Sequence, residues 1–227
     1  MAARWGRDVK TLRHAWSEFG AKRSPKILAT GILVALVARI AYGDFGWPDL
    51  LAVAAMLVIY PFGEWAIHVY LLHMPPFQLR GRSVYLQTSK AHWAHHKEPN
   101  DLGMILLAPH EVAALLLLAV PTAIVLFITP AALIAGEIPW GAALTGLLVG
   151  YVLVGIYEWT HFLIHTAVRP KTRLYRTVWR THRLHHFKNE HYWHGITSTV
   201  ADRVLGTFPE QSTVERSQTA RALNTNA

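Results

Sequence analysis

Cysteine is absent from all 227 residues, which rules out disulfides, thiolate metal ligands, iron–sulfur clusters and cysteine nucleophiles. Charge is scarce as well. Only 16% of the chain is charged, against roughly a quarter in ordinary soluble domains. Acids are fewer than bases, 14 against 22, for a net charge of +8. What is abundant is apolar: 52% of the chain is hydrophobic, and those residues are bunched. Residues 27–42, 48–62, 112–128 and 140–156 contain no Lys, Arg, Asp or Glu except Arg39 and Asp49. Each run is close to the minimum of about 17 residues needed to cross the hydrocarbon core of a bilayer.

The basic residues decide between a membrane protein and a buried soluble bundle. Seven Lys and Arg precede residue 27, four lie in residues 74–103 and ten in residues 166–227. The connections "GDFGW" and "TPAALIAGEIP" hold none, and Arg39 alone is left over. Such alternation is the pattern of four spans with both termini cytoplasmic, and a soluble bundle has no reason to sort its cations this way. The expectation is therefore an all-α integral membrane protein, multi-pass, with its four transmembrane helices arranged as two hairpins. The basic sequence before the first span, with no small-residue cleavage site after it, argues against a secretory signal. Residues 1–25 alternate basic and aromatic side chains, as a helix lying on anionic lipid would. Residues 26–209 form the membrane domain, and the polar residues 210–227 read as a disordered tail. Topology accounts for the net charge, so no nucleic acid is needed as a partner.

Histidine is the unexpected component. Of fourteen, all but His14 and His110 fall into five groups: His68 and His73; His92, His95 and His96; His161 and His165; His182, His185 and His186; His191 and His194. In the four-span arrangement every group lies at the cytoplasmic end of a span or in the segment after it, which gives a cytoplasmic His-rich helical cap. Residues i and i+3 or i+4 share a helical face, so each H-x-x-H-H triplet is one three-toothed face, and His161 and His165 point the same way. His68 and His73 are about 140° apart on a regular helix, so either that helix ends between them or they serve different ions. Twelve imidazoles exceed the needs of one ion, and two transition-metal ions sharing the set is the economical account. Imidazole suits iron, zinc, copper or nickel. Glu64, Asp101, Glu158 and Asp202 are placed to hold the outer ring nitrogens, as carboxylates commonly do for metal-bound histidine. Taken alone, His191 and His194 are of a kind more often found on the surface.

These motifs, in this order, resemble those of the fatty acid hydroxylase/sterol desaturase superfamily, and within it the fatty acid 2-hydroxylases. "EWAIHVYLLHMPP" (64–76), "HWAHHKEPNDLGMILLAP" (92–109), "YEWTHFLIH" (157–165) and "HRLHHFKNEHYWHGITSTVADRVLGTFPE" (182–210) carry the likeness, which covers about residues 50–210. Ala201, Val204 and Leu205 depart from the family's habit of an aromatic residue near these positions. The resemblance implies a di-metal site, with iron as the expected metal and zinc as the alternative after purification. It implies an enzyme that uses dioxygen and external electrons to hydroxylate an acyl chain of a fatty acid or complex lipid drawn from the bilayer. No haem, flavin or nicotinamide motif is visible, so electrons are expected from a separate ferredoxin- or cytochrome-type donor with its reductase. A bacterial inner membrane is the expected location.

Three other readings compete. A carotenoid hydroxylase or sterol desaturase of the same superfamily shares the plan, although the H-x3-H third box favours the lipid hydroxylases. A membrane cytochrome would set single histidines on facing spans at mid-depth rather than in tight groups. A divalent-metal transporter needs ionisable groups within its spans, and these have almost none.

Overall fold

A computed structural model describes residues 3–221, with the side chains at 127, 130, 131, 134 and 135 set aside. The helices are α1 (Leu12–Ala21), α2 (Arg23–Tyr42), α3 (Trp47–Ala66), α4 (Gln87–Lys97), α5 (Pro109–Ala114), α6 (Val120–Ala135), α7 (Trp140–Ile164), α8 (Arg173–Phe187) and α9 (Val200–Val204). One departure from an all-helical chain is a short hairpin, β1 (Phe77–Leu79) and β2 (Arg82–Val84). Its two-residue turn has positive φ at Arg80 and Gly81, the twist that matches paired strands.

Four helical stretches are long and apolar enough to cross a membrane: Arg23–Tyr42, Trp47–Leu72, Pro109–Leu126 and Trp140–Ile164. They coincide with the four runs read from the sequence, and all four are longer than those runs. The runs stop short of the first acidic residue, whereas α3 and α7 continue through Glu64 and Glu158; α7 carries His161, and the π-helical turn Ile67–Leu72 that follows α3 carries His68. Pro109 opens α5, where its missing N–H costs nothing. The third stretch widens into a π-helical turn at Leu115–Ala119, just ahead of Pro121. A proline here removes a backbone donor, and the Tyr151 hydroxyl donates to the Leu116 carbonyl at 2.5 Å instead.

The described chain forms two compact units, whose boundaries fall within α1, α3 and α7 and just before α5. One comprises Phe19–Tyr60 and Leu107–Glu158. Its core is Leu28, Ala35, Val112, Leu116, Val120, Ile124, Tyr151 and Val154. Its outward surface is aliphatic: Leu33, Leu50, Leu117 and Leu126 are all more than half exposed. An aliphatic exterior of this extent suits hydrocarbon rather than water, and the protein is a multi-pass membrane protein. Arg39, 2% exposed, is the one buried cation of this core; it pairs with Asp49 at 2.7 Å and donates to Thr145.

The other unit takes in the described residues up to Glu18, Pro61–Leu106 and Trp159 onward. Both flanking segments depart from expectation. Residues 3–9, expected on lipid, are threaded into this unit, with a bridge between Trp5 and Asp101 and with Gly6 and Val9 buried. Residues 210–221, expected to be disordered, are placed by side-chain hydrogen bonds from Ser217 and Thr219 to Glu190. Polar composition suggested solvent there; a buried carboxylate supplied the partner. Residues 1–2 and 222–227 of those two segments lie outside the described residues.

Candidate metal centre

Ten histidines converge in the second unit as two groups of five, His68, His73, His92, His96 and His185, and His95, His161, His165, His182 and His186. In each group one ligand nitrogen per residue lies within 4.8 Å of all the others. The two H-x-x-H-H faces are shared between groups rather than assigned one to each. His95 turns to the second group while His92 and His96 serve the first; His185 serves the first while His182 and His186 serve the second. A triplet at i, i+3 and i+4 spreads over more than one ion's width, so adjacent groups divide it.

His68 and His73 belong to one group, and neither of the two alternatives read from their spacing holds. The helix does not end between them. It becomes a π-helical turn over Ile67–Leu72, closed by the His73 amide donating to the His68 carbonyl at 3.1 Å. The wider turn brings residues five apart onto one side, and the two rings lie 4.9 Å apart. Single π turns of this kind concentrate at functional sites.

The donor chemistry fits a metal. His68, His96 and His185 each donate Nδ1–H to a backbone carbonyl, those of His194 at 2.7 Å, Ala220 at 2.8 Å and Tyr192 at 2.8 Å. The His165 ring bonds to the Pro99 carbonyl. A neutral imidazole has one N–H, so each ring fixed through Nδ1 presents a bare lone pair at Nε2. The Nε2 atoms of the first group crowd together: His73 with His92 at 3.1 Å, His96 with His92 at 3.2 Å and His185 with His73 at 3.2 Å. In the second group His182 faces His165 at 3.2 Å and His186 at 3.0 Å. His96 and His185 have no hydrogen on Nε2, and His73 and His92 can supply one each, so at most two of the three contacts in the first group can be N–H···N bonds; the lone pairs left facing repel unless a cation lies between them. At a metal–nitrogen distance of about 2.0–2.1 Å, bond angles from a right angle to tetrahedral put neighbouring donors about 2.9–3.4 Å apart. Neither ring nitrogen of buried His95 has a hydrogen-bond partner among the described residues.

Burial, above all, pushes the pKa of His73, His92, His95, His165, His182, His185 and His186 well below the ordinary value, with neighbouring imidazoles adding to it. His96 is lowered to about 4, again by burial first. All are therefore neutral near pH 7, the state that binds metal. A haem is a poor fit: its axial nitrogens sit on opposite sides of the iron, about 4 Å apart, whereas these pairs are closer and their rings pack edge to face.

Two candidate ligands stand outside both groups. His191 is exposed, 3.6 Å from the Glu190 carboxylate. It follows α8 in a loop, where the spacing that would aim it inward no longer applies. His194 is buried with its ring 5.2–5.8 Å from His185, His68 and His73. Its part is played by its backbone carbonyl, which fixes His68.

The four carboxylates also act differently from expectation, since no hydrogen bond joins any of them to a histidine ring in the described residues. Glu64 accepts from the Ile196 amide at 2.5 Å, the Thr197 amide at 3.0 Å and the Thr197 hydroxyl. Asp202 accepts from the His194 amide at 2.9 Å, the Gly195 amide at 2.8 Å and the Thr207 hydroxyl at 2.6 Å. Together they pin the loop whose carbonyl at His194 orients His68. Gly195 is required in that loop, because a Cβ there would lie 1.9 Å from the Ser198 carbonyl oxygen. Asp101 binds Arg4 and the Gly103 amide, and Glu158 binds Ser24 and the Leu107 amide. The groups that hold the rings are carbonyls, which every residue carries and no sequence pattern distinguishes.

Residues 53–207 match the family model described as fatty acid hydroxylase. The chain belongs to the fatty acid hydroxylase family. It is 32% identical over 156 residues to the dihydroceramide fatty acyl 2-hydroxylase FAH2 of Arabidopsis thaliana, covering 68% of this chain and 61% of that one. With the fatty acid 2-hydroxylase of Mus musculus it shares 29% identity over 157 residues, covering 69% and 39%. The chain thus spans about three fifths of the plant relative's length and two fifths of the mouse protein's. Among solved structures, full-length scs7p, in which only the hydroxylase domain is visible, superposes with a TM-score of 0.58 at 20% identity. That likeness covers 86% of this chain and 68% of the other, and it bears on the fold.

Proposed function

We propose that this chain is an oxygen-dependent lipid hydroxylase whose two histidine groups each hold one iron ion. The substrate is an acyl chain of a fatty acid or ceramide-like lipid, hydroxylated beside its carbonyl carbon as the relatives' names describe. The observation that carries this reading is the set of facing Nε2 atoms 3.0–3.2 Å apart in two adjacent groups. When bound, a pair of irons supplies the activation of dioxygen that an unreactive C–H bond demands.

The chain's own residues do the rest. Carbonyls at His194, Ala220 and Tyr192 hold His68, His96 and His185 with Nε2 bare. Burial keeps the ligands neutral, so no proton has to leave before a cation enters. A carbon near the lipid headgroup comes to rest at the cytoplasmic surface, and headgroup depth then selects the position attacked. Both termini are on the cytoplasmic side, in keeping with the distribution of Lys and Arg. Electrons come from a separate protein of ferredoxin or cytochrome type.

The test pairs elemental analysis of the detergent-purified full chain with lipid mass spectrometry of cells with and without the gene. About two irons per chain, one for each group of ligands, and hydroxylated acyl chains found only with the gene are expected. A chain that takes up no metal when iron and zinc are freely supplied overturns the proposal.

A further inference from the structure

The two segments that flank the histidine boxes both pack against the backbone that carries the rings, and the second contacts a ring directly. Ala220, 3% exposed, gives its carbonyl to His96 Nδ1. It is fixed from either side. Thr219 donates its hydroxyl to the Glu190 carboxylate at 2.5 Å, and Ser217 donates to the same oxygen at 3.0 Å. Arg221 donates to the His96 carbonyl at 2.8 Å and to that of Lys97. Glu190 lies just past α8, the helix of His182, His185 and His186, and the Ser217 amide donates to the Lys188 carbonyl at 2.8 Å. This segment therefore ties α8 to the end of α4 and aims a ring of the first group.

At the other end, the Gly6 amide donates to the Asn100 carbonyl at 2.8 Å, and the Leu102 amide donates to the Arg4 carbonyl at 2.9 Å. Arg4 adds an ion pair to Asp101. The Ala167 amide then donates to the Gly6 carbonyl at 3.0 Å. Gly6 lies so close to His165 that a Cβ would stand 1.8 Å from the His165 carbonyl oxygen. The stitched loop starts at Pro99, whose carbonyl holds the His165 ring. This segment aims a ring of the second group.

We infer that residues 3–9 and 214–221 are two separate clamps on the metal centre, the first positioning His165 for one ion and the second positioning His96 for the other. The inference rests on the two-ion reading above. It assigns positioning roles to Gly6, Arg4, Thr219 and Arg221, none of which can itself ligate a metal in this site.

The test measures zinc bound per full-length, detergent-purified chain under competition with a graded chelator. Arg221→Ala and Thr219→Ala should each weaken one of two ions by about 10–100-fold, the usual cost of losing an outer partner of a ligand, and leave the other tight. Thr219→Ser keeps the hydroxyl and should retain both. Gly6→Ala should weaken one ion similarly, and the double variant Arg221→Ala with Gly6→Ala should weaken both. Arg4→Ala serves in place of Gly6→Ala if that variant fails to fold, since the retained tight ion marks a folded chain. Single variants that bind like the wild type, or a double variant that loses no more than either single, overturn the inference. A wild-type chain that binds no zinc overturns the parent reading instead.

Discussion

The unit built on Leu28, Val112, Leu116 and Ile124 buries almost nothing polar, whereas the unit that holds the histidines buries ten imidazoles with Glu64, Glu190 and Asp202. Both obey one rule, that a buried polar group must find a partner. In the apolar unit the rule is met mostly by exclusion, and its few buried polar groups are paired, Glu158 with Ser24 and the Leu107 amide. Arg39 is buried, and Asp49, Thr145 and the Gly43 carbonyl take up its donors. In the histidine unit carbonyls satisfy one nitrogen of several rings, and the facing Nε2 atoms are left for cations. The difference is one of chemistry: one interior is dry and apolar, the other gathers ring nitrogens into two groups that could each hold a metal ion.

Substituting a ligand should break this contrast most sharply. His185→Ala or His165→Ala should remove one metal per chain and abolish lipid oxidation, read by elemental analysis and product mass spectrometry. Full metal content and turnover in both variants would show that the groups are a polar core and nothing more. Next in size is the buried cation of the apolar unit. Arg39→Ala leaves the Asp49 carboxylate without its cation and should cost about 3 kcal/mol, measured by denaturation in mixed micelles. The double replacement Arg39→Met with Asp49→Leu should recover most of that loss, because nothing charged is then left buried. The smallest effect is expected where the histidines are outside both groups. His191→Ala and His14→Ala should leave metal content and turnover unchanged, and a loss of metal in the His191 variant would bring that loop back into the site.

Much of the site was legible because its signals are periodic. The i, i+3, i+4 spacing of His92, His95 and His96 survives folding, since α4 is a regular helix. The four apolar runs were legible for a similar reason, as hydrocarbon admits only long apolar helices. His68 and His73 were misread because the spacing rule assumes 3.6 residues per turn, and the π turn at Ile67–Leu72 does not keep it. Glu64 and Asp202 were expected to hold histidine rings; among the described residues Glu64 meets none, and Asp202 lies 3.6 Å from the His194 ring while its hydrogen bonds go elsewhere. Each finds backbone amides of the 194–197 loop, and loop amides leave no trace in side-chain pattern.

The amino-acid sequence alone determined that the chain has four stretches apolar enough to cross a membrane and that its histidines cluster at and after the ends of those stretches, because hydrophobic length and helical period are local properties. Only the tertiary structure decided how the triplets divide between two groups, which carbonyls hold the rings, and that residues 3–9 and 214–221 reach them. Those choices join residues far apart in the chain, as Ala220 joins His96, and a hydrogen bond over such a separation is set by packing and not by any neighbour in sequence.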